Sequence, residues 1–116
     1  MKSDLPYLKH ILDAISKIEG YTKNMKRGKF LNDAKTQDAV VRELEVIGEA
    51  TKRLSGETRQ RYPEIPWAEV AGTRDRLIHA YFDVDLDEVW KTVCDDIPRL
   101  KSTVKKAIAE LEDKPN

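Results

Sequence analysis

The sequence predicts an all-α protein: an antiparallel up-and-down bundle of four main helices plus a short helix, built as one domain over residues 1–116. Three observations predict it. Apolar residues recur at three- and four-residue steps along most of the chain. Glycine and proline number only five each and gather where those runs should stop. No segment shows the alternation of a half-buried strand. A chain of this size buries about two-thirds of the surface its unfolded form exposes, which is enough for a single core without staples.

Leu5, Leu8, Ile11, Leu12, Ile15 and Ile18 form the stripe of the first helix, capped by Ser3 or Asp4 and ending near Gly20. Tyr21 to Lys29 has little apolar pattern and reads as a connection or a frayed end. A second helix is expected from about Asp33 to Leu54 on the stripe Val40, Leu44, Ile47 and Leu54. Gly48 inside it costs about 1 kcal/mol relative to alanine, which points to a neighbouring backbone packed close. Ser55 and Gly56 end that helix, and Glu57 to Arg61 can make one short turn.

Pro63-Glu64-Ile65-Pro66 must be extended or turned, because a proline disfavours the α conformation in the residue before it. Pro66 suits the first position of the next helix, which should run past Trp67 to about Phe82, with Gly72-Thr73 the place for any break. Asp85-Leu86-Asp87-Glu88 has the logic of a capping box. The last helical region carries Leu86, Val89, Trp90, Val93, Ile97, Leu100, Val104, Ile108 and Leu111, and Pro98 must kink or split it near Asp95-Asp96. Cys94, the only cysteine, falls among these apolar positions and is expected to be buried. It allows neither an intrachain disulfide nor a thiolate metal site.

Lys plus Arg and Asp plus Glu number 21 each, so any RNA binding must come from local clustering rather than bulk charge. That balance, and the lack of a recognisable recognition helix, count against a DNA-binding regulator. No apolar run approaches the ~18 residues that span a bilayer. MKSDLPYLKH lacks the apolar core of a secretory signal, so a cytoplasmic protein with no membrane partner is expected.

The stretch Thr73-Arg74-Asp75-Arg76-Leu77-Ile78-His79-Ala80-Tyr81-Phe82 carries the chemistry. His79 can take and give a proton near neutrality. Arg74 offers a permanent charge and a planar donor fork for a phosphate, and Tyr81 a hydroxyl for positioning. RNA supplies its own nucleophile, the 2′-hydroxyl, so His79 and Arg74 suffice for cleavage with no metal and no cofactor. The expected products are a 2′,3′-cyclic phosphate and a free 5′-hydroxyl. On one helix Arg74 and His79 leave the axis about 140° apart; a long Arg can curl around the helix, or a symmetric dimer can bring two copies of the stretch into one cleft, and the spacing favours a site where two subunits meet. Read alone, the same residues are also compatible with an ordinary charged helix. His10, with no such pattern near it, reads as a surface histidine.

Arg74-x4-His79-x-Tyr81 resembles the R-x4-H-x-Y signature of HepT-like proteins in the HEPN superfamily. The segments Gln37 to Arg42, Ile47 to Ala50, Ile65 to Trp67 and Arg76 to Asp85 resemble the family in order and spacing. The resemblance implies a HEPN-like homodimer with a composite site in the cleft between subunits. It further implies a toxin that cleaves tRNA or mRNA, as in type II or type VII toxin–antitoxin systems. The implied antitoxin is a minimal nucleotidyltransferase that joins the dimer in a larger hetero-oligomer and moves AMP from ATP to Tyr81. AMP groups there would block and repel RNA. A rival reading is a non-catalytic helical dimer that serves such a partner as scaffold or modification substrate.

One position departs from the family pattern. The residue after the motif arginine is commonly Asn and here is Asp75. Two roles are open to it: orienting His79 four residues on, or sitting as a helix-start carboxylate favoured by the dipole. Lys52, Arg53, Arg59, Arg61 and Arg76 either line one RNA cleft with Arg74 or are solubility charges. Trp67 and Trp90 either stack on bases or fill the core.

Overall fold

The computed structural model describes residues 2–79 and 84–113, with the backbone alone at residues 2, 74 and 77–79. A 3-10 turn, Lys2–Asp4, leads into α1 (Leu5–Tyr21). The chain continues through α2 (Arg27–Leu31), α3 (Ala34–Lys52), α4 (Gly56–Arg61), α5 (Trp67–His79) and α6 (Leu86–Lys91), then a π-helical turn (Thr92–Asp96) and α7 (Ile97–Asp113). Among the described residues there are only helices, turns and loops. Among the described residues four helices are long (α1, α3, α5 and α7). Three short ones are described where one is expected, because α2 forms at the end of the stretch read as a connection and α6 is split from the last helical region.

The helices stop and start for local reasons. Asp33 caps α3, its carboxylate accepting the Thr36 amide at 3.0 Å and the Thr36 hydroxyl at 2.8 Å. Those two bonds, the amide foremost, hold the Asp33 carboxyl below its ordinary range. Ser55 caps α4. Asp85 caps α6 through the Asp87 and Glu88 amides at 3.0 and 3.2 Å. Pro66 lies one residue ahead of α5 rather than inside it, and its carbonyl accepts the Val70 amide at 3.1 Å. No break interrupts α5 at Gly72-Thr73, where the Thr73 hydroxyl instead bonds back to the Glu69 carbonyl at 3.2 Å. The continuation of this helix to Phe82 lies outside the described residues.

The apolar stripes become the core. Leu8, Ile11, Ile15 and Ile18 of α1 pack with Val40, Leu44 and Ile47 of α3 and Ile97, Leu100, Val104 and Leu111 of α7, all buried. Each fully buried aliphatic side chain of this kind contributes about 1.5–3 kcal/mol before entropy is subtracted. Helix α3 has α1 and α5 as neighbours, and buries Gly48. Helix α7 packs on α1, and ion pairs at both ends make the two antiparallel: Lys9 to Glu112 and Lys101 to Glu19, each at 3.0 Å.

The last helical region is split next to Asp95-Asp96, where the sequence places the kink or split, by a π-helical turn that ends two residues before Pro98. The Ile97 amide there donates to the Thr92 carbonyl, five residues back. The wider turn rotates the apolar stripe, which corrects one expectation: Cys94 is exposed, not buried. Trp67 is buried, its indole N–H donating to the Tyr62 carbonyl at 2.8 Å. Trp90 is half-buried against Phe30, the ring centroids 5.1 Å apart.

Candidate active site

Helix α5 carries Arg74 and His79 of the motif. Trp67 and Ala71 seat it in the core, while Asp75 and Arg76 face solvent. Arg74 and His79 both lie on α5, five residues apart, which separates them by about 7.5 Å along the axis and about 140° around it. Tyr81 lies outside the described residues. The structure therefore puts two of the three motif positions on one helix.

Asp75 is the ninth residue of α5, so its reading as a helix-start carboxylate is corrected: it stands too far from the first turn to feel that end of the dipole. Both its carboxylate oxygens instead take the Lys52 ammonium, at 3.3 Å each. The last turn of α3 is thereby tied to α5 beside Arg74. The ion pair also compensates a negative charge that would repel a phosphate at this place.

The remaining basic candidates take separate positions. Arg76 folds along its own helix, with Nη2 at 3.1 Å from the Thr73 hydroxyl and 3.4 Å from the Glu69 carbonyl. Arg59 donates to the Thr51 carbonyl at 2.8 Å, satisfying one of the open carbonyls at the end of α3. Arg61 pairs with Glu110 at 3.2 Å. Arg53 approaches Glu49 at 3.9 Å and lines a groove between α1 and α3. Arg76 lines a different cavity of about 380 Å³ between α3, α5, α6 and α7, with an apolar floor that includes Leu44, Ile47 and Val70. Within one subunit, Arg53 and Arg76 do not share a cleft.

Sequence reasoning passed over the α1–α3 groove. It encloses about 480 Å³ and is lined by Tyr7, His10, Arg42, Glu45, Glu49 and Arg53 among others. The stripe Arg42, Glu45, Glu49, Arg53 on α3 was readable as helical spacing. That Tyr7 and His10 of α1 stand across from it was not. Among the described residues, no three His, Cys, Asp or Glu side chains gather as a metal site would need. No helix among them is long and apolar enough to cross a membrane.

Among the described residues the chain is an all-helical domain with an arginine and a histidine five apart on one helix. Residues 11–107 match the family described as "Ribonuclease HepT-like", and the chain belongs to that family. It is 50% identical over 105 residues to "Probable ribonuclease HepT" of Thermococcus cleftensis, covering 90% of this chain and 96% of that one. It is 45% identical over 108 residues to "Putative RNase MJ1216" of Methanocaldococcus jannaschii, covering 93% and 89%. A third relative, "Gamma-glutamylcyclotransferase and putative RNase MJ0434" of the same organism, is 46% identical over the whole of this chain but only 53% of its own length. No solved structure matches the chain.

Proposed function

We propose that the protein is a metal-independent endoribonuclease and the toxin of a toxin–antitoxin pair. The observation that carries this reading is the family match, which spans the Arg74 and His79 positions that α5 sets on one helix. In the proposed reaction the 2′-oxygen of a ribose attacks the adjacent phosphorus, the bond to the 5′-oxygen breaks, and a cyclic phosphate remains. His79 moves the protons, and Arg74 stabilises the extra negative charge on phosphorus in the transition state. Tyr81 positions the substrate. Two subunits form the working site, since a single helix turns Arg74 and His79 too far apart to grip one phosphate.

Regulation follows from the same place. A minimal nucleotidyltransferase antitoxin transfers AMP from ATP to the Tyr81 phenol, with pyrophosphate leaving, and the added charge and bulk exclude RNA. ATP is the partner's substrate, and the toxin itself needs no cofactor.

The test is cleavage of end-labelled tRNA and mRNA in chelator by protein purified without a partner. Products with 2′,3′-cyclic phosphate ends, lost in His79→Ala and Arg74→Ala, are the expected result. Intact RNA with wild-type protein, together with loss of nucleotidyltransferase binding in His79→Ala, would establish the scaffold reading instead. Co-expression with the neighbouring nucleotidyltransferase should add AMP mass to Tyr81.

A further inference from the structure

The groove between α1 and α3 has no part in the reading above, and its walls are not those of an ordinary solvated surface. On α3 and its C-cap, Arg42, Glu45, Glu49 and Arg53 stand at steps of three, four and four residues and so share one helix face. The two arginines lie about 16 Å apart along the axis, with the carboxylates between them. On α1, the rings of Tyr7 and His10 meet edge to face, with centroids 6.3 Å apart. Arg42 is exposed and has no ion-pair partner among the described residues. Arg53 is 62% exposed and 3.9 Å from Glu49, too loose a pair to bar a second anion.

We infer that this groove is an RNA subsite, in which Arg42 and Arg53 bind backbone phosphates while an unpaired base lies against Tyr7 and His10 and donates to Glu45. The inference rests on the ribonuclease reading of Arg74 and His79 for its place in the reaction. The order of charges along the stripe argues for a nucleotide. A bare anion would be repelled by the Glu45 carboxylate, and an apolar protein segment would bury the arginines without partners. A nucleotide brings anionic phosphates for the ends of the stripe, N–H donors for its middle and a flat face for the rings. The Arg53 end of the groove comes near the motif helix through its neighbour in the chain. Arg53 adjoins Lys52, whose ammonium holds Asp75 on α5, next to Arg74. RNA lying along the stripe would reach the reacting groups at the end of α3. Such a site also accounts for RNA binding by a chain with no net charge, because the cations act by placement.

The experiment compares wild-type protein with Arg42→Ala and Glu45→Gln, using Lys105→Ala on the far helix α7 as the control. Two probes are used: a pool of short oligoribonucleotides for cleavage, and the same pool with 2′-O-methyl groups for binding without turnover. Arg42→Ala should raise KM about fivefold with kcat within about twofold, and should lower the slope of log affinity against log salt by about 0.7. Glu45→Gln should change the base preferred at one position beside the cut. Lys105→Ala should do neither. If wild-type protein cleaves RNA while both groove variants keep its KM, salt slope and base preference, the subsite is refuted and the nuclease stands. If wild-type protein cleaves nothing but binds the methylated pool through Arg42, the subsite stands and the nuclease reading falls. Loss of the nucleotidyltransferase in Arg42→Ala, with RNA binding unchanged, would overturn the inference and make the groove a protein-docking surface.

Discussion

Replacing Asp4 should cost more stability than its place at the start of the chain suggests. The side chain is only 3% exposed, yet it is a carboxylate. It accepts the Ser55 amide at 3.0 Å, the Ser55 hydroxyl at 2.6 Å and the Thr58 hydroxyl at 2.6 Å, so it ties the start of α1 to the cap of α4. Burial pushes its pKa up, these three bonds and the N-terminal charge push it down, and the net shift is downward. Hydrogen bonds to a charged group contribute about 1.5–3 kcal/mol each, and desolvation takes back a large part of the sum. Asp4→Asn keeps the shape, removes the charge and turns a donor toward donors, so about 2–3 kcal/mol should be lost at pH 7. For a domain of this size that is a fall in Tm of roughly 8–12 °C. The sign of the pH dependence follows from the lowered pKa. The contribution is complete above the unfolded value near 3.8 and is lost as pH falls through the lower folded value. Urea unfolding of both proteins by circular dichroism, from pH 7 down to pH 2.5, measures it. The two stabilities should converge at the acid end. A difference at pH 7 below about 0.5 kcal/mol, or one that does not shrink with acid, would refute the reasoning.

Three further predictions follow from single contacts. The Thr51 hydroxyl is buried without a hydrogen-bond partner among the described residues, so Thr51→Val should raise stability by up to about 1 kcal/mol, read as Tm. The Tyr62 phenol donates to Glu110 at 2.5 Å, and burial first, then Glu110, raises its pKa from 10.0 to about 12. The neutral phenol thus favours the fold fully below pH 10 and loses that advantage as pH rises toward 12, so wild-type and Tyr62→Phe stabilities should converge over that window in urea titrations. The Lys52–Asp75 pair is 35% and 57% exposed, so Lys52→Ala should change stability by under about 1 kcal/mol. It should nonetheless raise KM for RNA severalfold by uncovering a carboxylate beside Arg74, and Asp75→Asn added to it should restore most of the loss.

What the sequence made readable, and what it did not, divides along the range of the interaction. Leu8, Ile11, Ile15 and Ile18 announce a buried face because helix geometry alone brings them together, and all four are buried. Asp33, Ser55 and Asp85 cap helices through amides two or three residues away, so their roles are also local. Cys94 misleads because one π-helical turn shifts the phase of the stripe, and nothing nearby marks where that extra residue is absorbed. Asp4 finds Ser55 and Thr58 across more than fifty residues, and Tyr7 and His10 find Arg42 and Arg53 across more than thirty. Neither pairing has a periodic signature.

The site divides in the same way. Arg74 and His79 stand out through their spacing on one helix. The Lys52 ammonium that makes Asp75 tolerable beside them comes from another helix, and only packing of α3 on α5 reveals it. The same packing bears on the proposed dimer. Two positions about 140° apart on a helix seated in the core by Trp67 and Ala71 cannot both face one phosphate from the same subunit without a long side chain curling around the axis. Mixing inactive His79→Ala with inactive Arg74→Ala protein tests this directly, since subunit exchange should restore one wild-type pair of groups in each mixed dimer. Recovery of about half the wild-type rate per dimer is expected for sites that draw Arg74 and His79 from different subunits. No recovery, with subunit exchange verified by mass, would mean that each subunit supplies both groups to its own site.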